Sequence, residues 1–316
     1  MNPPSPEQIL PLLAELYQTT ASQNEGRVAS YIPQLAKANP AHYAVAVCFA
    51  DGSQASWGQA DLAFCLQSVC KPVNYCLTLE EHGEDKVHQH VGFEPSGQVF
   101  NALTLNSQGL PHNPLINAGG IMCCSLIRPQ LKLPDRFEAI TQFWSELSGG
   151  SPPGFDNAVY QSERQSADRN HALAYFMREN KAFPADTDLE ETLELYFQCC
   201  SLTLNVQELA VVAATLAQGG KNPLTGQTLL QPRTLRNCLT VMATCGMYNF
   251  SGEFAFKIGL PAKSGVSGGL MLVVPGLMGL ALWSPPLDSY GNSVRGVAFC
   301  RELVNQLPLH VYAPKP

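Results

Sequence analysis

The chain has 316 residues, enough for roughly two average domains or one large compound domain. Its residues are 45% hydrophobic, 9% aromatic and 14% charged, unlike the polar, highly charged chains that stay disordered. Lys and Arg number 19 against 26 Asp and Glu, which gives a formal net charge of -7, and no basic run is suited to following a phosphate backbone. We therefore expect a folded protein that does not bind nucleic acid.

The termini and the apolar stretches predict neither a membrane span nor a targeting segment. The most apolar stretch, Leu270 to Trp283, is interrupted by Pro275-Gly276 and is shorter than the ~20 residues of a membrane-spanning helix. Residues Met1 to Pro6 have neither the basic start and apolar core of a signal peptide nor the Arg-rich character of a transit peptide. A cytoplasmic location is expected.

The eleven cysteines are odd in number and include two adjacent pairs, Cys123-Cys124 and Cys199-Cys200, which are poorly placed for ordinary disulfides. No C-x-x-C pair occurs, so a cysteine zinc site has little support. His88 and His90 give a weak metal signal, and a solvated surface pair explains them better. We expect reduced thiols and no metal.

The N-terminal part is predicted to contain a helix, a hairpin and a second helix. Apolar residues at helical spacing indicate the first helix around Ile9 to Leu16. The run Tyr43 to Phe49 predicts a strand, followed by a turn at residues 51–53 and a second extended segment that ends near Trp57. The next helix is predicted from near Ser68 to Leu79.

Residues 84–200 are predicted to be mainly helical. Glycine and proline indicate loops within them at residues 94–97, 106–114 and 148–154. Asn205 with Glu208 three residues later resembles a capping box that opens a helix over 206–218.

The C-terminal part returns to strands. Leu270 to Val274 and Leu277 to Trp283 show little polar alternation, which predicts central strands buried on both faces. A last helix is predicted from about Ser293 to Gln306. We expect the N-terminal hairpin to join these strands in one sheet, with the helical middle of the chain inserted.

These elements predict an α/β (α+β) fold in a single catalytic unit over residues 1–316. Its discontinuous α/β subdomain is predicted at about residues 26–66 and 225–310, and its helical subdomain at about residues 67–224. The sheet is expected to be mainly antiparallel and flanked by helices.

Two short motifs indicate acyl-transfer chemistry. Ser68 and Lys71 form an S-x-x-K at a predicted helix start, which puts a hydroxyl and an amine one turn apart on one face. A lysine whose pKa is lowered by burial can take the serine proton. Lys263-Ser264-Gly265 has the K-[ST]-G form that Ser/Lys enzymes use on a strand edge facing the serine. The order of the motifs resembles that of the serine β-lactamase and penicillin-binding folds.

The third element of such sites, an S-x-N or Y-x-N tripeptide, is not obvious. Tyr196 can supply a hydroxyl, although a helical tyrosine is more often a core residue. Asn117 follows a glycine-punctuated loop that suits either a cleft or a plain turn. Glu163 and Asn170 lie in charged stretches that are typical of a solvated helix face. The residues alone leave these alternatives open.

The chain resembles the serine-dependent glutaminases in a series of motifs that runs through most of its length. These motifs are Gln67–Pro72 (QSVCKP), Asn113–Gly119 (NPLINAG), Gln161–Arg164 (QSER) with Arg169-Asn170, Tyr196–Cys199 (YFQC), Cys245–Tyr248 (CGMY) and Pro261–Val266 (PAKSGV). Other stretches, such as Trp283 to Asp288, are closer to the animal kidney- and liver-type enzymes than to many bacterial ones.

The resemblance implies hydrolysis of L-glutamine to L-glutamate and ammonia through a glutamyl ester on Ser68, with no cofactor. Lys71 would be the base, and the amides of Ser68 and Val266 would form the oxyanion hole. The implied catalytic set also includes Tyr31, Tyr248 and Lys263. The glutamine site would be lined by Tyr31, Asn117, Glu163, Asn170, Tyr196 and Tyr248, with Ser68 and Val266. Physically, the Glu163 carboxylate suits the substrate ammonium. The side chains of Asn117, Asn170 and the tyrosines can hydrogen-bond to the substrate carboxylate.

The resemblance further implies a serine β-lactamase/penicillin-binding-like fold and a homodimer or homotetramer. The animal enzymes carry an N-terminal extension and C-terminal ankyrin repeats that are absent here, as in a bacterial form or in a trimmed mitochondrial core. Gly120 replaces an Ala of many members, and we expect a minor effect.

Two other hypotheses stay open. One is a β-lactam-directed acyl-serine hydrolase of the β-lactamase or penicillin-binding type, and the other is an inactive scaffold of the same fold. The presence of Ser68, Lys71, Tyr248 and Lys263 argues against the scaffold.

Overall fold

A five-stranded antiparallel sheet is the framework of the structure, a computed structural model that describes residues 5–313. Its strand order is β2-β1-β8-β7-β6, and a small second sheet has the order β3-β5-β4. The strands are β1 Ala44–Phe49, β2 Gln54–Gly58, β3 Phe64–Cys65, β4 Gly154–Phe155, β5 Leu202–Leu204, β6 Ala262–Ser264, β7 Gly269–Val274 and β8 Met278–Trp283. The α-helices are α1 Pro6–Thr20, α2 Lys71–His82, α3 Glu84–Val87, α4 Asn117–Leu126, α5 Leu133–Leu147, α6 Asn157–Gln165, α7 Asp168–Glu179, α8 Leu189–Cys200, α9 Val206–Ala217, α10 Pro232–Cys245, α11 Ser251–Lys257 and α12 Val294–Gln306.

The central strands β1, β7 and β8 of the main sheet are buried on both faces, as the apolar runs at 270–274 and 277–283 predict, whereas the edge strand β2 is partly exposed. Side chains of a strand alternate between faces. In β1, Ala44, Ala46 and Cys48 belong to the larger core, whereas Val45, Val47 and Phe49 belong to a second core. Helix α9 packs on the sheet face that belongs to the larger core. Helices α1 and α12 contribute to the second core, on the other face.

The predicted hairpin joins the C-terminal strands directly, because β1 lies between β2 and β8 in the main sheet. The chain leaves this sheet after Gly58 and returns to it at Ala262. The segment between them carries α2 to α11 and the small sheet. The division into an α/β and a helical subdomain remains our proposal, and residues 1–4 and 314–316 of the proposed unit lie outside the described residues.

The predicted capping box is confirmed, and the structure shows a second capped helix start. The Asn205 side chain accepts from the Glu208 amide, and the Glu208 carboxylate accepts from the Asn205 amide, which completes the predicted capping box of α9. Ser293 caps α12 by accepting from the Gly296 amide. Both side chains satisfy backbone donors that a helix start leaves unpaired.

Three expectations are corrected. The prediction of a mainly helical 84–200 fails over residues 88–116, which form neither helix nor strand, because glycine and proline recur there. The loop predicted over 148–154 ends in strand β4. The helix expected from Ser68 begins at Lys71, after a 3-10 turn over Gln67–Cys70. Between residues 5 and 313, no helix combines the length and the apolar character that crossing a membrane requires.

Candidate active site

Ser68 and Lys71 are in direct contact at the start of α2. The Lys71 Nζ donates to Ser68 Oγ at 2.8 Å and to Asn117 Oδ1 at 2.9 Å. Gln67, just before the serine, has a φ of 49°, a left-handed conformation that is costly for a residue with a side chain. This backbone turn brings the serine hydroxyl above the first turn of the helix, within reach of the lysine.

Lys71 is 1% exposed, and its burial lowers the pKa of its amine, although Cys200, Cys70 and Glu163 act in the opposite sense. The aliphatic stem of the lysine passes Gly120, where an added Cβ would lie 2.9 Å from Lys71 Cε. The site therefore disfavours the charged form of the amine more than water does.

A second buried lysine lies on β6. The Lys263 Nζ donates to the carbonyl oxygens of Gly246 at 3.2 Å and Ser264 at 2.6 Å, and it lies 4.5 Å from the centroid of the Tyr248 ring. Burial and the nearby Lys71 lower the pKa of Lys263 well below its ordinary value. Lys263 therefore ties β6 to the segment that carries Tyr248.

Gly265 lets β6 approach the serine closely. An added Cβ at this position would lie 2.8 Å from the Leu66 carbonyl oxygen and 3.1 Å from Val69 Cγ2. Among the turn and loop hydrogen bonds of residues 5–313, none uses the amide of Ser68 or of Val266. Both amides are thus available to an oxyanion.

Tyr248 adopts a left-handed backbone with a φ of 55°. Its hydroxyl is buried and has no hydrogen-bond partner within the described residues. Burial raises the pKa of Tyr248, and the adjacent Ser68 acts in the opposite sense. An unpaired buried hydroxyl beside the serine is free to bond to a reacting group.

Glu163 is a buried carboxylate, 9% exposed, on α6. The Tyr31 hydroxyl donates to Glu163 Oε1 at 2.7 Å and is also 2.8 Å from Gln67 Oε1. Burial raises the pKa of Glu163, whereas its bonds to Tyr31 and Gln67 and the charge of Lys71 lower it. Tyr31 is 51% exposed, so its ring forms part of the rim while its hydroxyl is held inside.

Asn117 and Asn170 form an amide pair in the same cavity as Glu163. Asn117, at the start of α4, donates through Nδ2 to Asn170 Oδ1 at 3.2 Å. These side chains enclose, together with Ser68 and Tyr196, a cavity of about 200 Å³. The cavity is lined by Tyr31, Gln67, Ser68, Phe100, Asn101, Asn117, Glu163, Ser166, Arg169, Asn170, Tyr196, Cys200 and Val266.

The structure brings together most residues that the sequence singled out. Lys71, Tyr248 and Lys263 are not part of this cavity lining, but each contacts or adjoins its serine end. Sequence reasoning missed the lining residues Phe100, Asn101, Ser166 and Cys200, and gave Gln67 and Arg169 no role. Gln67 is the first residue of the QSVCKP motif, and this motif was the one signal in the sequence that could have placed it in the cavity.

The weak metal signal has another explanation. His88 Nε2 is 2.8 Å from the Tyr75 hydroxyl, and His90 Nδ1 is 2.7 Å from the Ala182 carbonyl oxygen. Across the described part of the chain, no group of three or more His, Cys, Asp or Glu side chains is arranged to hold a metal ion. All eleven cysteines are buried free thiols.

Comparisons with known proteins agree on one family. The family model for Glutaminase matches residues 26–312. The mitochondrial liver isoform of glutaminase from Rattus norvegicus is 46% identical over 94% of this chain and 49% of its own length. A glutaminase of Nostoc sp. is 44% identical over 97% of this chain and 91% of its own length. The chain thus spans about half the length of the rat relative and most of the Nostoc one.

Solved structures also match. The structure described as "Probable glutaminase ybaS" superposes with a TM-score of 0.93 at 36% identity and covers 98% of this chain and 100% of the other. The crystal structure of Mglu in its native form superposes with a TM-score of 0.91 at 35% identity, and the match covers 100% of this chain and 75% of the other. The expected β-lactamase-like fold, with an antiparallel sheet flanked by helices, is confirmed. This chain belongs to the glutaminase family.

Proposed function

We propose that this protein hydrolyses L-glutamine to L-glutamate and ammonia through a glutamyl ester on Ser68. The observation that carries the proposal is the 2.8 Å contact between Lys71 Nζ and Ser68 Oγ at the buried end of a small polar cavity. Membership of the glutaminase family supports the reaction. The Ser/Lys mechanism rests on the contact itself.

In acylation, neutral Lys71 takes the proton of Ser68 while Oγ attacks the side-chain amide carbon of glutamine. The amides of Ser68 and Val266 stabilise the oxyanion that forms. Lys71 then gives its proton to the leaving nitrogen, the C–N bond breaks, and ammonia departs. In deacylation, water attacks the ester carbon, its proton passes through Lys71 to Ser68 Oγ, and glutamate is released.

Tyr248 and Lys263 support this centre. We assign the unpaired Tyr248 hydroxyl to hydrogen bonding at the reacting groups. Lys263 holds the neighbouring backbone at Gly246 and Ser264 and keeps the Tyr248 ring in position. The charge of Lys71, together with burial, disfavours an ammonium at Lys263.

The opposite end of the cavity suits a free amino acid. Glu163 can pair with the α-ammonium, and Asn117 and Asn170 can donate to the α-carboxylate. Tyr31 and Gln67 hold the carboxylate of Glu163 in place. Such a small cavity with a buried carboxylate favours glutamine over a bicyclic β-lactam.

Ammonia release from L-glutamine by purified parent and Ser68→Ala protein tests the proposal. The parent should release ammonia, and Ser68→Ala should retain under about 1% of the turnover while unfolding at the parent's temperature. A parent that hydrolyses a chromogenic β-lactam but not glutamine would establish the alternative hydrolase. If Ser68→Ala keeps the parent's hydrolytic activity, on glutamine or on the β-lactam, the covalent route through Ser68 is rejected.

The assembly and the compartment are proposals as well. We expect a homodimer or homotetramer, which light scattering after size-exclusion chromatography would distinguish from a monomer. We retain the cytoplasm as the predicted compartment, and fractionation of cells that express the protein would test it.

A further inference from the structure

A second cavity lies next to the catalytic one. Its volume is about 310 Å³, and its lining includes Ser96, Gln98, Leu115, Thr244 and Asn249. None of the described residues that line it is Asp, Glu, Lys, Arg or His. It is therefore an uncharged space that offers hydroxyl and amide groups to small polar molecules.

Two aromatic rings, those of Phe100 and Tyr248, separate the cavities, and we call this pair the aromatic wall. Their centroids are 4.9 Å apart at an interplanar angle of 44°. Phe100 lines both cavities. Tyr248 lines the second, while its buried hydroxyl adjoins Ser68. The second cavity thus begins one ring away from the nucleophile.

One half of the wall, Phe100, is carried by irregular backbone. Phe100 lies in the irregular residues 88–116, and Gly97 has a φ of 64° with no atom within 4 Å of an added Cβ. The segment is joined to the start of α4 by the bond from the Asn117 amide to the Phe100 carbonyl, and the phenyl ring itself lies outside any helix or strand. Small displacements of this ring can open a passage between the cavities.

The catalytic cavity is small for a site that must hold the glutamyl group, release ammonia and admit water. Its volume of about 200 Å³ lies below the ~300–1,000 Å³ typical of ligand pockets. After the C–N bond breaks, the glutamyl group stays bonded to Ser68 and occupies part of this cavity. Ammonia must leave, and water must reach the ester carbon, before glutamate can be released.

We propose that the second cavity is the route by which ammonia leaves the acyl-enzyme and hydrolytic water enters it, with the aromatic wall as its opening. The inference rests on the proposed function. Ammonia forms as a neutral molecule once Lys71 has protonated the leaving nitrogen, and water is neutral too. An uncharged polar passage admits both, whereas it disfavours the charged groups of glutamine and glutamate.

Gly252 offers a test that leaves the proposed catalytic residues untouched. It lines the second cavity on α11, and an added Cβ would have no neighbour within 4 Å. Gly252→Trp should fill the passage, and Gly252→Ala is the matched control that leaves it open. Thr244, on α10 at the same cavity, provides a second pair in Thr244→Trp and Thr244→Val.

Three quantities are measured: kcat, the Kd for L-glutamate, and a product ratio. The ratio is that of glutamyl hydroxamate to glutamate when hydroxylamine competes with water for the glutamyl ester. Hydroxylamine is a larger neutral nucleophile than water, so a narrowed passage should exclude it more strongly. We expect Gly252→Trp to lower kcat about tenfold and the hydroxamate ratio at least about threefold, with an unchanged Kd for glutamate. Gly252→Ala should behave as the parent.

Each outcome decides the matter. If both tryptophan variants keep the parent's kcat and hydroxamate ratio while their thermal unfolding is unchanged, the route is rejected. A weakened Kd for glutamate would show that the substitution acts on the catalytic cavity and would also reject it. A parent that releases no ammonia from glutamine would overturn the proposed function, and the inference with it.

Discussion

At the scale of single residues, the burial of Lys71 is the main determinant of the proposed chemistry. A lysine in water has a pKa of about 10.4 and is charged at neutral pH. Burial lowers the pKa of Lys71, so the amine becomes neutral at a lower pH than an exposed lysine does. A neutral amine can accept the Ser68 proton without an additional base.

This environment predicts a pH profile. Because the base form carries activity and the pKa of Lys71 is lowered, kcat/KM should rise with pH through one deprotonation and level off below about pH 10. Lys71→Arg should be as inactive as Lys71→Ala, since a guanidinium keeps its proton. Lys257→Arg, at an exposed lysine paired with Glu253, is the matched control. Substantial activity of Lys71→Arg with the parent's profile would transfer the role of base to Tyr248 or Tyr31.

Glu163 is expected to act on substrate selection. Removing its charge should cost about 2–4 kcal/mol of binding in the transition state, so Glu163→Gln should reduce kcat/KM for glutamine roughly 30- to 1,000-fold. Steady-state kinetics would measure this, with the exposed Glu253→Gln as the control. If Glu163→Gln matches the parent, the residue has only a structural role.

At the scale of elements, two neighbouring glycines of α4 have different tasks. An added Cβ at Gly119 would overlap the backbone carbonyl of Asn113, whereas at Gly120 it would meet the flexible stem of Lys71. Gly119→Ala should lower the free energy of unfolding by about 2–3 kcal/mol, and Gly120→Ala by under about 1 kcal/mol with a small loss of kcat. Urea unfolding would measure both, and equal losses would contradict the packing described.

The irregular segment 97–114 is expected to respond to substrate. The Phe100 carbonyl accepts from the Asn117 amide at 3.0 Å, which couples the segment to the start of α4. Binding of L-glutamate should therefore slow hydrogen exchange in this segment, while α12 should exchange as before. An exchange pattern that glutamate leaves unchanged across 97–114 would contradict this coupling.

Local patterns in the sequence identify many elements. The capping box at Asn205, the hairpin near Phe49 and the apolar runs after Leu270 are each determined by residues within a few positions of one another. Each is present in the structure. The joining of both chain ends in one sheet also follows, because strands with two apolar faces must be covered.

The rest depends on contacts distant in sequence. Residues 88–116 are held by bonds such as that from the Gly92 amide to the Pro111 carbonyl. The left-handed Gln67 depends on partners as far away as Tyr31. The S-x-x-K and K-S-G motifs pointed to the reacting end, but Phe100 and Asn101 carried no local signal for the cavity.

At the scale of the whole molecule, the fold brings three distant parts of the chain to one centre. Ser68 and Lys71 follow the hairpin, Glu163 comes from the helical middle, and Lys263 comes from β6. The proposed nucleophile and oxyanion hole are useful only if the reaction passes through a bond to Ser68. The central claim is therefore the glutamyl ester.

Acid quenching during turnover of L-glutamine, followed by peptide mass spectrometry, tests this claim most directly. The account predicts that the peptide containing Ser68 gains the mass of one glutamyl group, and that Ser68→Ala neither gains it nor releases ammonia. A glutamyl group on another residue, or steady ammonia release with the Ser68 peptide unmodified at every quench time, would contradict the account.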